Sequence, residues 1–143
     1  MAVVNQLELE GYYKVGLISE ELGWGDSGLA ISFGVGGFHK MFAQMSGRPA
    51  LIERYGTPDN HDIGCWAVTE PDHGSDSLTV TERHFGDPKL KANCVAHRDG
   101  DHYVINGVKR FITNADEADF AQVFAVTDQQ KRSHGGITGF LVD

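Results

Sequence analysis

The chain has 143 residues, enough for one ordinary domain or a small pair of subdomains, and is 41% hydrophobic and 22% charged, as a soluble globular protein is. Its 12 Lys and Arg stand against 20 Asp and Glu, and a net charge of −8 repels a phosphate backbone, so nucleic acid is not an expected partner. No apolar run approaches the ~20 residues of a membrane span, and two cysteines are too few to staple a secreted scaffold.

The opening "MAVVNQLELEGYY" turns acidic early, unlike a secretory leader, and no targeting segment is seen. "LELEGYYKVGLISEELG" sets Tyr13, Leu17, Ile18 and Leu22 at helical spacing, with Gly23 as the predicted stop. Asp26-Ser27-Gly28 reads as a capping turn. After it Leu29, Phe33, Phe38, Met41, Phe42 and Met45 form one predicted apolar stripe, interrupted by Gly34, Gly36 and Gly37. Each glycine weakens a helix by roughly 1 kcal/mol relative to Ala, so close approach of a neighbour or ligand is expected there. "SGRP" ends the segment, and "PALIERYG" predicts a short helix with Pro49 near its start and Gly56 past its end.

The second half reads as β structure. "CWAVT" is a buried strand candidate, and "SLTVTER" alternates, with Leu78 and Val80 on one face. "ANCVAHR" and "HYVI" flank Asp99-Gly100-Asp101, a hairpin signal, and Asn106-Gly107 demands a bulge or turn before "VKRFIT". "FAQVFAVT" and "ITGFLVD" are two further strands joined by the polar "DQQKRSHGG". Helices first and strands after predict an α+β chain. Cys65 and Cys94 sit in strand-like runs and suit small buried hydrophobes in a reducing compartment.

Two stretches carry candidate chemistry. In "CWAVTEPDHGSD" a strand ends at Thr69, breaks at Pro71 and enters a second polar turn. The bland reading is a strand stop followed by a cap; the functional one is a cradle in which Thr69 offers a hydroxyl, Gly74 admits close approach and Ser75 holds a phosphate. In "INGVKRFITNA" the bland reading is a bulged strand. The functional one is an aromatic face, a backbone N–H and a hydroxyl in Phe111, Ile112 and Thr113, a set suited to the flat, hydrogen-bonding edge of an isoalloxazine ring. On a strand, Phe111 and Thr113 share one side and Ile112 takes the other.

Together "AVTEPDHGSD" and "YVINGVKRFITNA" resemble the acyl-CoA dehydrogenase family of flavoproteins, and "EELGWGDSGLAISFGVGGFHKMFAQMSG" resembles the later helices of its N-terminal helical domain. The resemblance covers nearly the whole chain. It implies that residues 1–60 end a helical bundle domain. It implies that residues 61–143 are most of an antiparallel β-barrel-like, FAD-binding middle domain, with the C-terminal helical domain absent. By the same resemblance Trp66, Val68 and Thr69 run along the flavin, with Thr69 bonded to the ring edge. Gly74 and Ser75 serve the pyrophosphate, Ser75 also lying near acyl-CoA. Phe111 stacks by the outer ring, and Thr113, beside Ile112, donates to N5. Thr69 and Thr113 are expected to face one groove at neighbouring strand ends.

The implied activity is α,β-desaturation of an acyl-CoA thioester in fatty-acid metabolism, with electrons passed to an electron-transfer flavoprotein. A homo-oligomer, a tetramer at full length, is implied, in the bacterial cytoplasm or mitochondrial matrix. The family's catalytic Glu comes from the C-terminal helical domain, so no catalytic residue is assigned, Glu70 is read as a structural turn residue, and the chain alone is expected to be inactive. The departures are the short "GTPDNHDIG" connection, His73 in place of a small residue and Ala115 in place of a common Gly. The alternative is an inactive β module that binds a partner through an open sheet edge. A metal site is not expected: His61, His73, His84, His97 and His102 lack helical ligand spacing, and the cysteines form no C-x-x-C knuckle. "GVGGF" lacks the G-x-G-x-x-G spacing of a dinucleotide fold.

Overall fold

The structure is a computed structural model that describes residues 6–72, 74, 94–131 and 135–143. It divides into two compact units, Met1–Gly34 and Val35–Asp143.

In the first unit, α1 spans Gln6–Gly25, two residues past the stop predicted at Gly23. Glycine is tolerated in a helix interior, and the stop falls to Asp26, whose N–H donates to Leu22 O at 2.9 Å. Asp26 then starts α2, Ser27–Gly36: its Oδ1 accepts the N–H of Leu29 at 2.9 Å and its carbonyl accepts that of Ala30 at 3.0 Å.

The single apolar stripe predicted from Leu29 to Met45 does not form. A turn at Gly37 separates α2 from α3, Phe38–Ser46. The buried face of α3 carries His39 and Ala43, with Phe42 half-buried beside them, while Met41 and Met45 point to solvent. Gly47, at φ 62°, closes α3 with its N–H on Gln44 O. α4, Pro49–Tyr55, starts on Pro49 and stops at Gly56, as its sequence predicts.

Among the described residues five strands follow: β1 Gly64–Ala67, β2 Cys94–Asp99, β3 His102–Gly107, β4 Phe120–Val126 and β5 Ile137–Val142. β2 and β3 form the predicted hairpin, with Asp99 opposite His102 and Gly100 at φ 59° in the two-residue turn. β5 runs antiparallel to β4 along its length, from Ala121 opposite Val142 to Val126 opposite Ile137. β1 is parallel to β4, Gly64 opposite Phe120, and β2 meets β4 in parallel at Val95 and Val126. A strand has two edges, and β5 occupies one of them on β4. β1 and β2 therefore share the other, β1 at its start and β2 at its end. "SLTVTER" lies outside the described residues.

The antiparallel barrel expected from the sequence is therefore corrected: among the described residues the sheet is mixed and open. Strand composition reveals local hairpins, but the parallel pairs join residues as far apart as Gly64 and Phe120, or Val95 and Val126, which no turn signal encodes.

Register divides the sheet into two faces. One holds Gly64, Trp66, Phe120, Gln122, Phe124, Gly139 and Leu141, and α3 and α4 cover it. Phe120 meets His39 edge-on at 4.7 Å and Tyr55 at 5.0 Å, and Phe42 meets Phe124 at 6.1 Å. Two glycines make this approach possible. A Cβ on Gly64 would lie 2.9 Å from Phe120 Cζ and 3.1 Å from His39 Nδ1, and one on Gly139 would lie 2.6 Å from Phe42 Cζ. Of the glycines of α2 where close approach was expected, a Cβ on Gly34 would meet nothing within 4 Å and one on Gly36 would lie 3.6 Å from Asn114 Nδ2, an ordinary contact, so the tight approaches are those in the sheet. On the other face Cys94, Ala96 and Ala125 pack with Ile105, Val123 and Phe140.

The short connection between α4 and β1 is organised by Asn60. Its Oδ1 bonds His39 Nε2 at 3.1 Å and accepts the N–H of Asp62, and its Nδ2 donates to Arg54 O at 3.1 Å. Ile63 and Asp119 then exchange two 2.8 Å bonds that align the starts of β1 and β4. At the far end Tyr55 Oη donates to Asp143 Oδ1 at 2.7 Å, beside the Arg54–Asp143 ion pair.

Candidate functional site

The two stretches singled out by the sequence meet beyond the C-terminal end of β1. After Ala67 the chain leaves the sheet, and three bonds tie residues 68–70 to residues 109–110. The N–H of Arg110 donates to Thr69 O at 3.0 Å. Lys109 Nζ donates to Val68 O at 3.0 Å and pairs with Glu70 Oε1 at 2.9 Å. The side chains of Lys109 and Glu70 are only 12% and 10% exposed. Glu70, read from the sequence as a structural turn residue, is held in this ion pair, and Lys109 is the partner that sequence reasoning missed. Its signal was the Lys109-Arg110 pair set between Val108 and Phe111 in "INGVKRFIT".

Residues 108–113 are not a strand, which corrects the bulged-strand reading and removes the alternation argument for Phe111, Ile112 and Thr113. Three left-handed positions break the extended path: Gly107 at φ 148°, Phe111 at φ 57° and Asn114 at φ 66°. Phe111 is 82% exposed, with the Arg110 guanidinium 4.6 Å above its ring. A bulky residue in that conformation is uncommon and carries strain. Ile112 and Thr113 are half-buried at the start of a turn closed by the N–H of Ala115 on Ile112 O and that of Glu117 on Asn114 O.

The other candidates fall as follows. Trp66 lies on the helix-facing side of the sheet, edge-on to Phe38 at 4.6 Å and stacked on Phe124 at 5.3 Å, so its ring forms part of the packing beneath α3. Val68 and Thr69 are half-buried just past β1, and Gly74 is half-buried further along. Thr69 and Thr113 are not at neighbouring strand ends; one follows a strand and the other starts a turn, joined through the Arg110–Thr69 bond. Among the described residues neither threonine hydroxyl takes part in a hydrogen bond. Ser75 and His73 lie outside the described residues.

Both cysteines are free and buried, and burial pushes each thiol above its ordinary range. At Cys94 the ammonium of Lys109 pulls the other way and the carboxylate of Glu70 adds to the rise, which sets the ion pair beside the core of the second face. Among the described residues no cluster of three His, Cys, Asp or Glu could hold a metal ion, and no helix is long and apolar enough to cross a membrane.

The described residues thus bring together an exposed aromatic in a left-handed conformation and two half-buried threonines on loops tied to each other. Comparison with known proteins identifies the family. Residues 65–143 match the sequence profile "Acyl-CoA dehydrogenase, middle domain". The chain is 41% identical over 105 residues to the short-chain specific acyl-CoA dehydrogenase of Clostridium acetobutylicum, a match covering 66% of this chain and 24% of that protein. It superposes on butyryl-CoA dehydrogenase from Megasphaera elsdenii with a TM-score of 0.70 and 32% identity, over 87% of this chain and 30% of the other. It superposes on a glutaryl-CoA dehydrogenase from Mycobacterium smegmatis in complex with FADH2 with a TM-score of 0.63 and 36% identity, over 89% and 29%. The chain thus spans less than a third of the length of each.

Proposed function

The chain belongs to the acyl-CoA dehydrogenase family, and from that membership we propose that residues 66–75 and 109–115 form the isoalloxazine- and pyrophosphate-facing part of an FAD site. The observation that carries the reading is the bond from Arg110 to Thr69, which brings two loops with unengaged hydroxyls together beside an exposed aromatic. Thr69 and Thr113 offer hydrogen bonds to the ring edge, Phe111 offers a stacking face, and Val68 and Ile112 line the approach. Trp66 contributes by fixing β1 against Phe38 and Phe124. Gly74, and through its motif alone Ser75, serve the pyrophosphate, Ser75 also the acyl-CoA. FAD, when bound, supplies the hydride acceptor; the protein's part is to bind and orient.

The proposed domain limits are 1–60 for the end of a helical domain and 61–143 for the middle domain. The whole protein's reaction is α,β-desaturation of an acyl-CoA thioester, with electrons passed to an electron-transfer flavoprotein and assembly as a homo-oligomer. Proton abstraction needs a base within roughly 3 Å of the substrate or one water away. Glu70 is nearly enclosed and paired with Lys109, so it does not fill that role. The chain alone is accordingly proposed to lack turnover. An assay with saturating FAD, an artificial electron acceptor and a panel of acyl-CoAs tests this. The expected result is no turnover; turnover abolished by Glu70→Gln would assign the base to this chain.

A further inference from the structure

We propose that Lys109 is a positioning residue for the flavin site: it sets the separation between the Thr69 loop and the Phe111–Thr113 loop. The assignment rests on the flavin reading above. Lys109 has three donors, and two are spent on the first loop, on Val68 O at 3.0 Å and Glu70 Oε1 at 2.9 Å. Those acceptors flank Thr69, and the next residue, Arg110, donates its own N–H to Thr69 O. The lysine therefore straddles the residue whose hydroxyl is offered to the ring, and the loop bearing Phe111 and Thr113 begins two residues later.

A buried ion pair seldom adds net stability over an apolar pair of the same volume, because both ions lose their hydration. What it adds here is geometry. The pair is almost closed from solvent, so water does not loosen it. Nothing regular replaces it either: residues 108–113 have left the sheet, and Phe111 and Asn114 hold left-handed conformations that a free loop would relax. An apolar residue at 109 would fill the space and let the second loop drift.

Amide hydrogen exchange and FAD titration on the full chain test the proposal. K109M alone would take the Lys109 ammonium from the Glu70 carboxylate and threaten the fold, so the decisive variant is the double change K109M/E70Q, which removes both charges of the pair. The Arg110 amide is expected to exchange at least about tenfold faster, while β1 and β4 keep their protection. FAD affinity is expected to fall by about tenfold or more, with a displaced absorption band for the flavin that still binds. K109R, which can serve both acceptors, is expected to restore the exchange rate and the spectrum.

Unchanged exchange at Arg110, or faster exchange with unaltered flavin affinity and spectrum, would overturn the proposal. So would equal loss of protection across β1 and β4, which would make the pair a prop of the fold. A wild-type chain that takes up no flavin removes the flavin reading instead, and the Arg110 amide still decides whether Lys109 holds the loop.

Discussion

Phe111 combines two properties that selection for stability alone would remove. It holds a left-handed backbone and leaves most of its ring in solvent. The conformation costs about 1–3 kcal/mol in a non-glycine residue. Glycine would relieve that strain, offset by about 0.5–1 kcal/mol of backbone entropy and a similar loss of the Arg110 contact. Phe111→Gly is therefore expected to change stability by between about −1 and +2 kcal/mol in urea unfolding, while weakening FAD binding. A marked loss of stability would mean that the ring serves the fold. The residues of this loop were legible in the sequence as chemistry but not as geometry. "FIT" announced an aromatic, a hydrophobe and a hydroxyl, whereas neither the left-handed turns at Phe111 and Asn114 nor the bond from Lys109 to a glutamate 39 residues away has a local signal.

At the scale of elements, α3 sits on the sheet because Gly64 and Gly139 have no side chains where His39, Phe120 and Phe42 must fit. The two sites differ in what can yield. Phe120 is buried between His39 and Tyr55, so its ring has no room to move, whereas Phe42 is only half-buried. Gly64→Ala is expected to cost about 1–3 kcal/mol in urea unfolding, and Gly139→Ala less. Equal or reversed costs would contradict this account of the interface. The helix boundaries at Asp26, Gly47, Pro49 and Gly56 were legible because caps and breakers act within a few residues. The buried face of α3 was not. Met41 and Met45 are as apolar as Phe42, and only the partner sheet decides which of them is covered. The hairpin at Gly100 was legible for the same local reason, whereas the parallel pairing of β1 and β2 with β4 was invisible in it.

At the level of the molecule, three buried acids among the described residues oppose ionisation. Burial raises Cys65 and Cys94 above their ordinary 9.0 and is the main cause of the rise of Tyr55 above its ordinary 10.0. The unfolded chain releases these protons first. Between the unfolded and folded values it binds fewer protons than the native state, so stability falls as pH rises. The contribution is complete below about pH 9 and is lost above it. The urea midpoint is expected to drop between pH 8 and pH 10.5, and to drop less in the Cys65→Ala/Cys94→Ala variant. A midpoint that stays level would mean that the thiols are not enclosed.

The central claim is that two loops, tied by Lys109 and Arg110, present Thr69 and Thr113 to one flavin. Flavin fluorescence titration of the wild-type chain against Thr69→Val/Thr113→Val tests it most directly. The double change removes both hydroxyls at nearly constant volume. With less than a third of the relatives' length present, the wild type is expected to bind FAD saturably but weakly, in the micromolar range (about 8 kcal/mol or less). The variant is expected to bind at least about tenfold more weakly at unchanged stability. Equal affinity in the two proteins, or no saturable binding in either, would contradict the account.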